Sequence, residues 1–332
     1  MIRLDSSSFG PHLLRSTLLE SLRIPHAFST RLGGVSAAPC DTLDCAGEAA
    51  EAAPGSAGAD GRDRRLENRR RLLAAAELAG RAIAPIRLVH GADVVRAALA
   101  AENENGDRSP HRPAADAMVS NDPAMALLVT TADCAPILLA CAACGAVGAV
   151  HCGWRGVLAT PGGTVDQASR TGDAAGRCAV SASGTVAATA CRSSDERVPL
   201  RGAIASALSA LHGEAAPCAA RSPLERASSV VAAIGPCIGP EAFEVGDEVA
   251  CAFIAAGLGR CVIRRRTGGR PRIDLFASVH AQLVACGVDP GAIDGEPFCT
   301  ASNPQLFFSH RRDRGRTGRM AAVIGAAALD GA

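Results

Sequence analysis

Residues Thr131–Gly156 read TADCAPILLACAACGAVGAVHCGWRG. Two apolar runs, Ile137–Ala140 and Ala146–Val150, flank a short break that contains Gly145. Short apolar runs bounded by turn residues read as buried strands, so this stretch predicts a β-hairpin. With a tight turn at Ala142–Ala143, Cys141 pairs with Cys144 and, counting outward, Cys134 falls opposite His151. Directly paired residues on one face of a hairpin hold their Cβ atoms roughly 4.5–5.5 Å apart. A thiolate and an imidazole that close can share one metal ion, and zinc takes both donors. The register depends on its turn, and Ala-Ala is a poor two-residue hairpin loop. A bulge near Pro136 would also break the pairing.

The chain has 332 residues, which suits one large domain or two ordinary ones. Hydrophobic residues make up 48%, enough for a sizeable core, although much of that content is Ala. All 34 basic residues are Arg, Tyr is absent, and the formal net charge is +1. Arg clusters are weak functional markers in such a composition, and nothing global draws the chain to nucleic acid or membrane. The 14 Cys are scattered along a long chain, unlike the disulfide framework of a short secreted protein. Met1–Thr30 lacks the basic start and apolar run of a secretory signal. No stretch supplies the ~20 uninterrupted apolar residues of a membrane helix. A reducing cytoplasm is the simplest setting, with most Cys as small buried hydrophobes.

Upstream of the hairpin, Ser29–Ser36 sets Gly33-Gly34 beside Arg31 and hydroxyl groups. Such a turn can seat an anion on its N–H groups or be a plain surface turn. Residues 46–65 and 99–114 read as loops. Glu67–Ala79 predicts a helix stopped by Gly80. Ile86–Val89 predicts a short strand ending at His90, and a lone His there reads as structural on its own. Ala126–Thr130 is an apolar strand leading into the hairpin. Downstream, residues 159–199 are rich in Ala, Gly, Ser and Thr without a durable period and read as an insertion. Helices are expected over Pro199–His212, Asp247–Ala256 and, capped by Asp274, as far as Gly287. Strands are expected over Val230–Ile234 and Ala321–Ile324. The basic run Arg264–Arg272 reads as an exposed hairpin or loop.

Several blocks, taken in order, resemble the YfiH or laccase-domain family, also called polyphenol-oxidase-like proteins. They are STRLGGVS at Ser29–Ser36, NR at Asn68–Arg69, VHG at Val89–Gly91 and ADCAPILL at Ala132–Leu139. AVHCGWRG at Ala149–Gly156, IGPCIGP with EVG across Ile234–Gly246, and FSHRRD with TGRM across Phe308–Met320 complete the set. The resemblance implies an α+β fold, a four-layer α/β/β/α sandwich with mixed β-sheets. It implies one domain over 1–332 carrying the insertion at about 159–199. Its metal ligands would be His90, Cys134 and His151, which adds His90 to the pair reached from hairpin geometry. The implied activity is purine nucleoside phosphorylase, on adenosine, inosine or methylthioadenosine with phosphate, accompanied by adenosine deaminase.

Three ligands with an open fourth position are the catalytic pattern of zinc. Zinc there can lower the pKa of a bound water to about 7 or orient an anionic nucleophile such as phosphate; copper is the other metal to consider. Asp133, beside a ligand, is a candidate partner for a ligand His or a general acid/base. Arg31, Arg155 and Arg311 are candidate phosphate ligands, with Arg312 and Arg319 behind them, because a guanidinium grips two oxygens at once. Trp154 can stack on a purine or pack the core beside the site. Cys152, adjacent to His151 on a strand, points to the opposite face. Cys141 and Cys144 have C-x-x-C spacing but no second pair. A multicopper oxidase needs many imidazoles, and this chain has eight His with no H-x-H pair. Oxidation of phenols at a single copper, hydrolytic editing of a peptidoglycan precursor, and partner binding without catalysis are the competing readings.

Overall fold

The computed structural model describes residues 1–5, 10–46, 61–97, 112–159, 202–212, 222, 225, 227–264 and 268–327. The expected insertion therefore lies, beyond residue 159, outside the described residues, as do most of the loops expected over 46–65 and 99–114.

Two mixed six-stranded sheets carry the architecture. The first runs β1 (Ile2–Asp5), β2 (Leu13–Ser16), β3 (His26–Ser29), β14 (Met320–Ile324), β7 (Met125–Thr131), β4 (Ala82–Ile83). Its neighbours are antiparallel except β4 against β7. The second runs β13 (Ile293–Gly295), β10 (Val230–Ile234), β8 (Ala135–Cys141), β9 (Val147–Cys152), β6 (Ala117–Ser120), β5 (Val94–Arg96). It is antiparallel inside and parallel at both edges. A separate small hairpin joins β11 (Val262–Ile263) to β12 (Arg272–Ile273). Among the described residues the α-helices are α1 (Thr17–Ser21), α2 (Arg62–Ala75), α3 (Trp154–Leu158), α4 (Gly202–His212), α5 (Asp247–Ala255) and α6 (Leu275–Ala285).

Three apolar clusters mark the interfaces between four layers. Leu72 and Leu73 of α2 pack on Leu128 and Val323, the outer face of the first sheet. Leu127, Val129 and Ile324 meet Leu138, Val147 and Ala149 between the sheets. Ile137, Leu139 and Val150, on the outer face of the second sheet, pack on Ile204 and Leu208 of α4 and on Val279 and Leu283 of α6. This is the α/β/β/α sandwich. It also explains why β7, β8 and β9 read as continuous apolar runs rather than alternating ones. They are central strands buried on both faces over their whole length.

Local chemistry sets the element ends. Asp274 caps α6, accepting a hydrogen bond from Ala277 N at 2.9 Å. The helix expected over Glu67–Ala79 is α2, which starts at Arg62 and stops at Ala75. Its stop precedes Gly80 because Glu77 already takes the left-handed conformation, φ +61°. Arg87 makes only a single bridge, to Ala114, where a short strand was expected, and β5 follows instead.

The hairpin register differs from the expected one by two residues. β8 and β9 pair Ala135 with Cys152, Pro136 with His151 and Ala140 with Val147. The turn spans Ala142–Gly145, with Gly145 N donating to Cys141 O and Cys141 N to Ala146 O. Gly145 sits at φ +68°, a conformation Ala would adopt only with strain. That glycine, not Ala142–Ala143, places the turn. A shift of two preserves the face of every side chain, so Cys134 and His151 remain on one side as diagonal neighbours.

Between β7 and β8 the chain leaves the first sheet and enters the second. The link is Ala132-Asp133-Cys134, with Asp133 at φ +90°. Packed sheets stand about 10 Å apart, so this strap is close to the shortest that can cross.

Candidate metal centre and cavity

The three expected ligands converge. The nearest donor atoms of His90, Cys134 and His151 all lie within 4.8 Å of one another. The two imidazoles meet edge to face, centroids 4.8 Å apart and planes 70° apart. Each comes from a different kind of element. His151 lies on β9, Cys134 on the strap between the sheets, and His90 in a turn at φ +59°. Among the described residues this is one group of His, Cys and carboxylate side chains placed to hold a metal ion. Two imidazole nitrogens and a thiolate suit a borderline-soft divalent metal.

Gly153 makes room for the sulfur. Carrying the β8–β9 register one step further puts Gly153 across from Cys134. A Cβ at Gly153 would stand 2.9 Å from Cys134 Sγ. The GW pair of the HCGWRG block thus contains a steric requirement of the metal centre.

Asp116 is the residue that sequence reasoning missed. It is fully buried, just before β6. Its carboxylate accepts from three consecutive amides, Val89 N at 3.3 Å, His90 N at 2.9 Å and Gly91 N at 2.6 Å. The His151 Nδ1–H donates to Asp116 Oδ1 at 2.9 Å. An ionised carboxylate only accepts, so Nδ1 carries the proton and Nε2 keeps its lone pair for a metal. One side chain therefore shapes the His90 turn and fixes the His151 tautomer. Burial pushes the Asp116 carboxyl up, but His151 and the Gly91 and His90 amides outweigh it and hold it below its ordinary value. A buried acid at the start of a short strand has no local sequence signature, and Asp116 stands 26 residues from His90.

The Cys134 thiol and the His151 imidazole each favour the other's charged form. Burial pushes Cys134 up, but His151 and His90 reverse this and bring it down to about 6. Burial pushes His151 down, but the Cys134 thiolate and Asp116 raise it to about 10. Cys152 lies on the opposite face in the helix-side cluster, and burial pushes its thiol up. It is not a fourth ligand.

The centre opens into a cavity of about 470 Å³. Ile238, Phe243, Leu275 and Trp154 give it an apolar wall; Arg87, Arg311 and Arg319 give it a cationic one, with His310 also in the lining. Asp133 lines it too, but its carboxylate accepts from Thr300 Oγ1 at 2.6 Å and Arg311 N at 2.7 Å. The carboxylate that meets a ligand histidine is Asp116 rather than Asp133. Asp133 instead ties the strap to the loop bearing His310 and Arg311.

Three of the five candidate phosphate ligands do not line the cavity. Arg31 is outside the cavity, donating to Asp41 O and Pro304 O and lying over the Phe308 ring. Arg155 stacks on Trp154 at 4.5 Å and does not line the cavity. Arg312 is committed to Asp313, Thr300 O and Phe307 O. Arg311 and Arg319 do line the cavity, joined by Arg87 and His310, which sequence reasoning had not chosen. The Ser29–Ser36 turn is structural. Gly34 N donates to Thr42 Oγ1, Val35 N to Asn68 Oδ1 and Ser36 N to Thr42 O.

No helix among the described residues is long and apolar enough to cross a membrane. The family model described as "Multi-copper polyphenol oxidoreductase laccase" matches residues 25–199 and 205–327. A purine nucleoside phosphorylase of Deinococcus radiodurans is 33% identical over 317 residues, covering 95% of this chain and 93% of that protein. Purine nucleoside phosphorylase YfiH of Escherichia coli (strain K12) is 31% identical over 296 residues, covering 89% and 91%. The crystal structure of Bacillus licheniformis hypothetical protein YfiH superposes with a TM-score of 0.70 at 21% identity, covering 98% of this chain and 99% of that one. YlmD from Geobacillus stearothermophilus superposes with a TM-score of 0.67 at 22% identity, covering 99% and 100%. With the fold, the ordered blocks and these likenesses in agreement, the chain belongs to the laccase-domain family that includes YfiH.

Proposed function

We propose that this protein is a zinc-dependent purine nucleoside phosphorylase with adenosine deaminase as a side activity. The observation that carries the reading is the cavity, which sets the His90–Cys134–His151 group beside both an apolar wall and a cationic wall. The names of the relatives, at about one-third identity, support the same class. Two imidazoles and one thiolate fit zinc and leave a coordination position for a reactant. Bound there, zinc would supply a Lewis acid at the floor of the cavity.

The chain's own residues have separable tasks. Ile238, Phe243, Leu275 and Trp154 offer the purine an apolar surface and exclude water from it. The cationic wall faces the phosphate. In phosphorolysis a phosphate oxygen bonds to C1′ of the ribose as the bond from C1′ to the base nitrogen breaks. The electron pair of that bond leaves with the base, which takes up a proton, giving free base and ribose 1-phosphate. In deamination water adds at C6 of adenosine and ammonia leaves, giving inosine. Asp133 holds the strap and the Arg311 loop at fixed separation through one hydrogen bond to each of its oxygens. Among the described residues the potential metal ligands form one three-ligand group, whereas multicopper chemistry needs several imidazole-rich sites.

The test is metal analysis of the purified protein together with product detection from adenosine, with and without phosphate. Free adenine appearing only with phosphate is the expected result, with inosine as the minor, phosphate-independent product. Absence of both products from zinc-loaded protein would sink the reading. A single centre for both reactions requires that Cys134→Ala abolish both; loss of deamination alone refutes that unification.

A further inference from the structure

We infer that Arg87 and Arg319, which line the same cavity, form the subsite for the phosphate group, an assignment that rests on the phosphorylase reading. Among the described residues, three guanidiniums line the cavity, Arg87, Arg311 and Arg319, against one carboxylate, Asp133, in a chain whose formal net charge is only +1. Positive charge exceeds negative charge in this lining, and the Asp133 oxygens are engaged by Thr300 Oγ1 and the Arg311 amide rather than by a guanidinium.

The three guanidiniums are not equivalent. Arg311 Nη1 donates to Glu244 O and Ala242 O, with the cation over Phe243, so it braces the apolar wall. Arg319 Nη1 donates to Gly318 O and Thr317 O, which orients the head without neutralising it. The Arg87 side chain makes no hydrogen bond or ion pair with any described residue, yet its backbone is clamped. Arg87 N donates to Pro113 O and Arg87 O accepts from Ala115 N. An uncompensated guanidinium on a fixed backbone, three residues before a metal ligand, is suited to bidentate capture of an oxyanion. Arg319 approaches from the first sheet, one residue before Met320, which pairs with Thr131 at the start of the strap. The oxyanion would therefore be held between the two sheets, next to the metal centre.

The experiment uses the full chain loaded with zinc. Arg87→Gln and Arg319→Gln are compared with wild type and with Arg264→Gln, which alters an exposed ion pair to Asp247 outside the cavity. Binding of inorganic phosphate is measured by calorimetry without nucleoside, and the phosphate KM is measured at saturating inosine. Loss of a charge-assisted contact should weaken phosphate binding and raise its KM roughly 10- to 100-fold in each cavity variant. The inosine KM and the melting temperature should stay at wild-type values, and Arg264→Gln should match wild type throughout. Wild-type phosphate affinity in both cavity variants would overturn the assignment while leaving the phosphorylase reading intact. Phosphate binding that is lost in the variants, in a protein that cleaves no nucleoside, would uphold the subsite and overturn that reading. Adenosine 5′-monophosphate is titrated in parallel. If the variants lose affinity for it alone, with inorganic phosphate unaffected, the anion is carried by the nucleoside and the assignment to free phosphate falls.

Discussion

Asp116→Asn keeps the shape of the side chain and removes its charge, which isolates what the buried carboxylate does. The wild-type group takes four hydrogen bonds. Oδ1 accepts from Val89 N, His90 N and His151 Nδ1, and Oδ2 accepts from Gly91 N at 2.6 Å. Asparagine has one acceptor oxygen. With that oxygen toward His151 and His90, its NH2 faces the Gly91 N–H, donor against donor. With the amide flipped, His151, His90 and Val89 lose their acceptor. The cheaper orientation still forfeits one charged hydrogen bond and strands a buried donor, about 2–4 kcal/mol. Loss of such a supporting partner typically weakens metal binding ~10- to 100-fold. Zinc affinity is measured by competition with a chelating dye, and stability by urea unfolding of the metal-free protein. A variant that binds zinc like wild type and unfolds at the same urea concentration would refute the view that Asp116 builds the centre. The effect also has a sign in pH. Asp116 is depressed below its ordinary value of 3.8, so its stabilisation is present above that pH and lost as pH falls through the lower folded value. Asp116→Asn should flatten acid unfolding in that range.

Gly153→Ala should fold but lose metal, because its Cβ would stand 2.9 Å from Cys134 Sγ while φ −83° is open to alanine; full metal content by elemental analysis would count against this. In metal-stripped protein Cys134 should be alkylated by iodoacetamide with a rate that rises through pH about 6 rather than 9, and bound zinc should suppress it; a midpoint near 9 would show that the histidines do not hold the thiolate. Asn68→Ala should cost about 2–4 kcal/mol by stranding buried partners. Its Nδ2 donates to Ser36 Oγ and Asp44 O and its Oδ1 accepts from Val35 N. Denaturant unfolding checks this, and an unchanged midpoint would restore the Ser29–Ser36 turn as a free loop.

What could be read from the sequence follows the range of the forces involved. The hairpin, β10 and α6 were legible because apolar runs, a glycine and an Asp cap act within a few residues. The register was misplaced by two because pairing by count ignored the φ +68° that Gly145 supplies. The error left the ligand pair intact, since an even shift keeps the face. The NR block at Asn68 could be recognised but not explained, because its partners lie 24 to 33 residues away. The arginines show the limit most clearly. Arg31 and Arg155 sit in conspicuous blocks and lie outside the cavity, whereas Arg311 and Arg319, in equally conspicuous blocks, and Arg87, in none, line it. In a chain with 34 Arg and no Lys, only the fold distinguishes a brace from a ligand.

The strap Ala132-Asp133-Cys134 makes the two sheets act as the jaws of a caliper. One jaw bears His151; the other, through Met320 and Thr131, sets the position of Arg319. The gap between them is set by the side chains in the apolar layer, Leu138 and Val147 against Leu127 and Val129. Shaving that layer with Leu138→Ala costs about 2–5 kcal/mol as a cavity. It would also change the reading of the instrument, because the metal centre and the cationic wall would no longer stand at the same distance. Core packing in this fold is thus a ruler for the reactants as well as a source of stability.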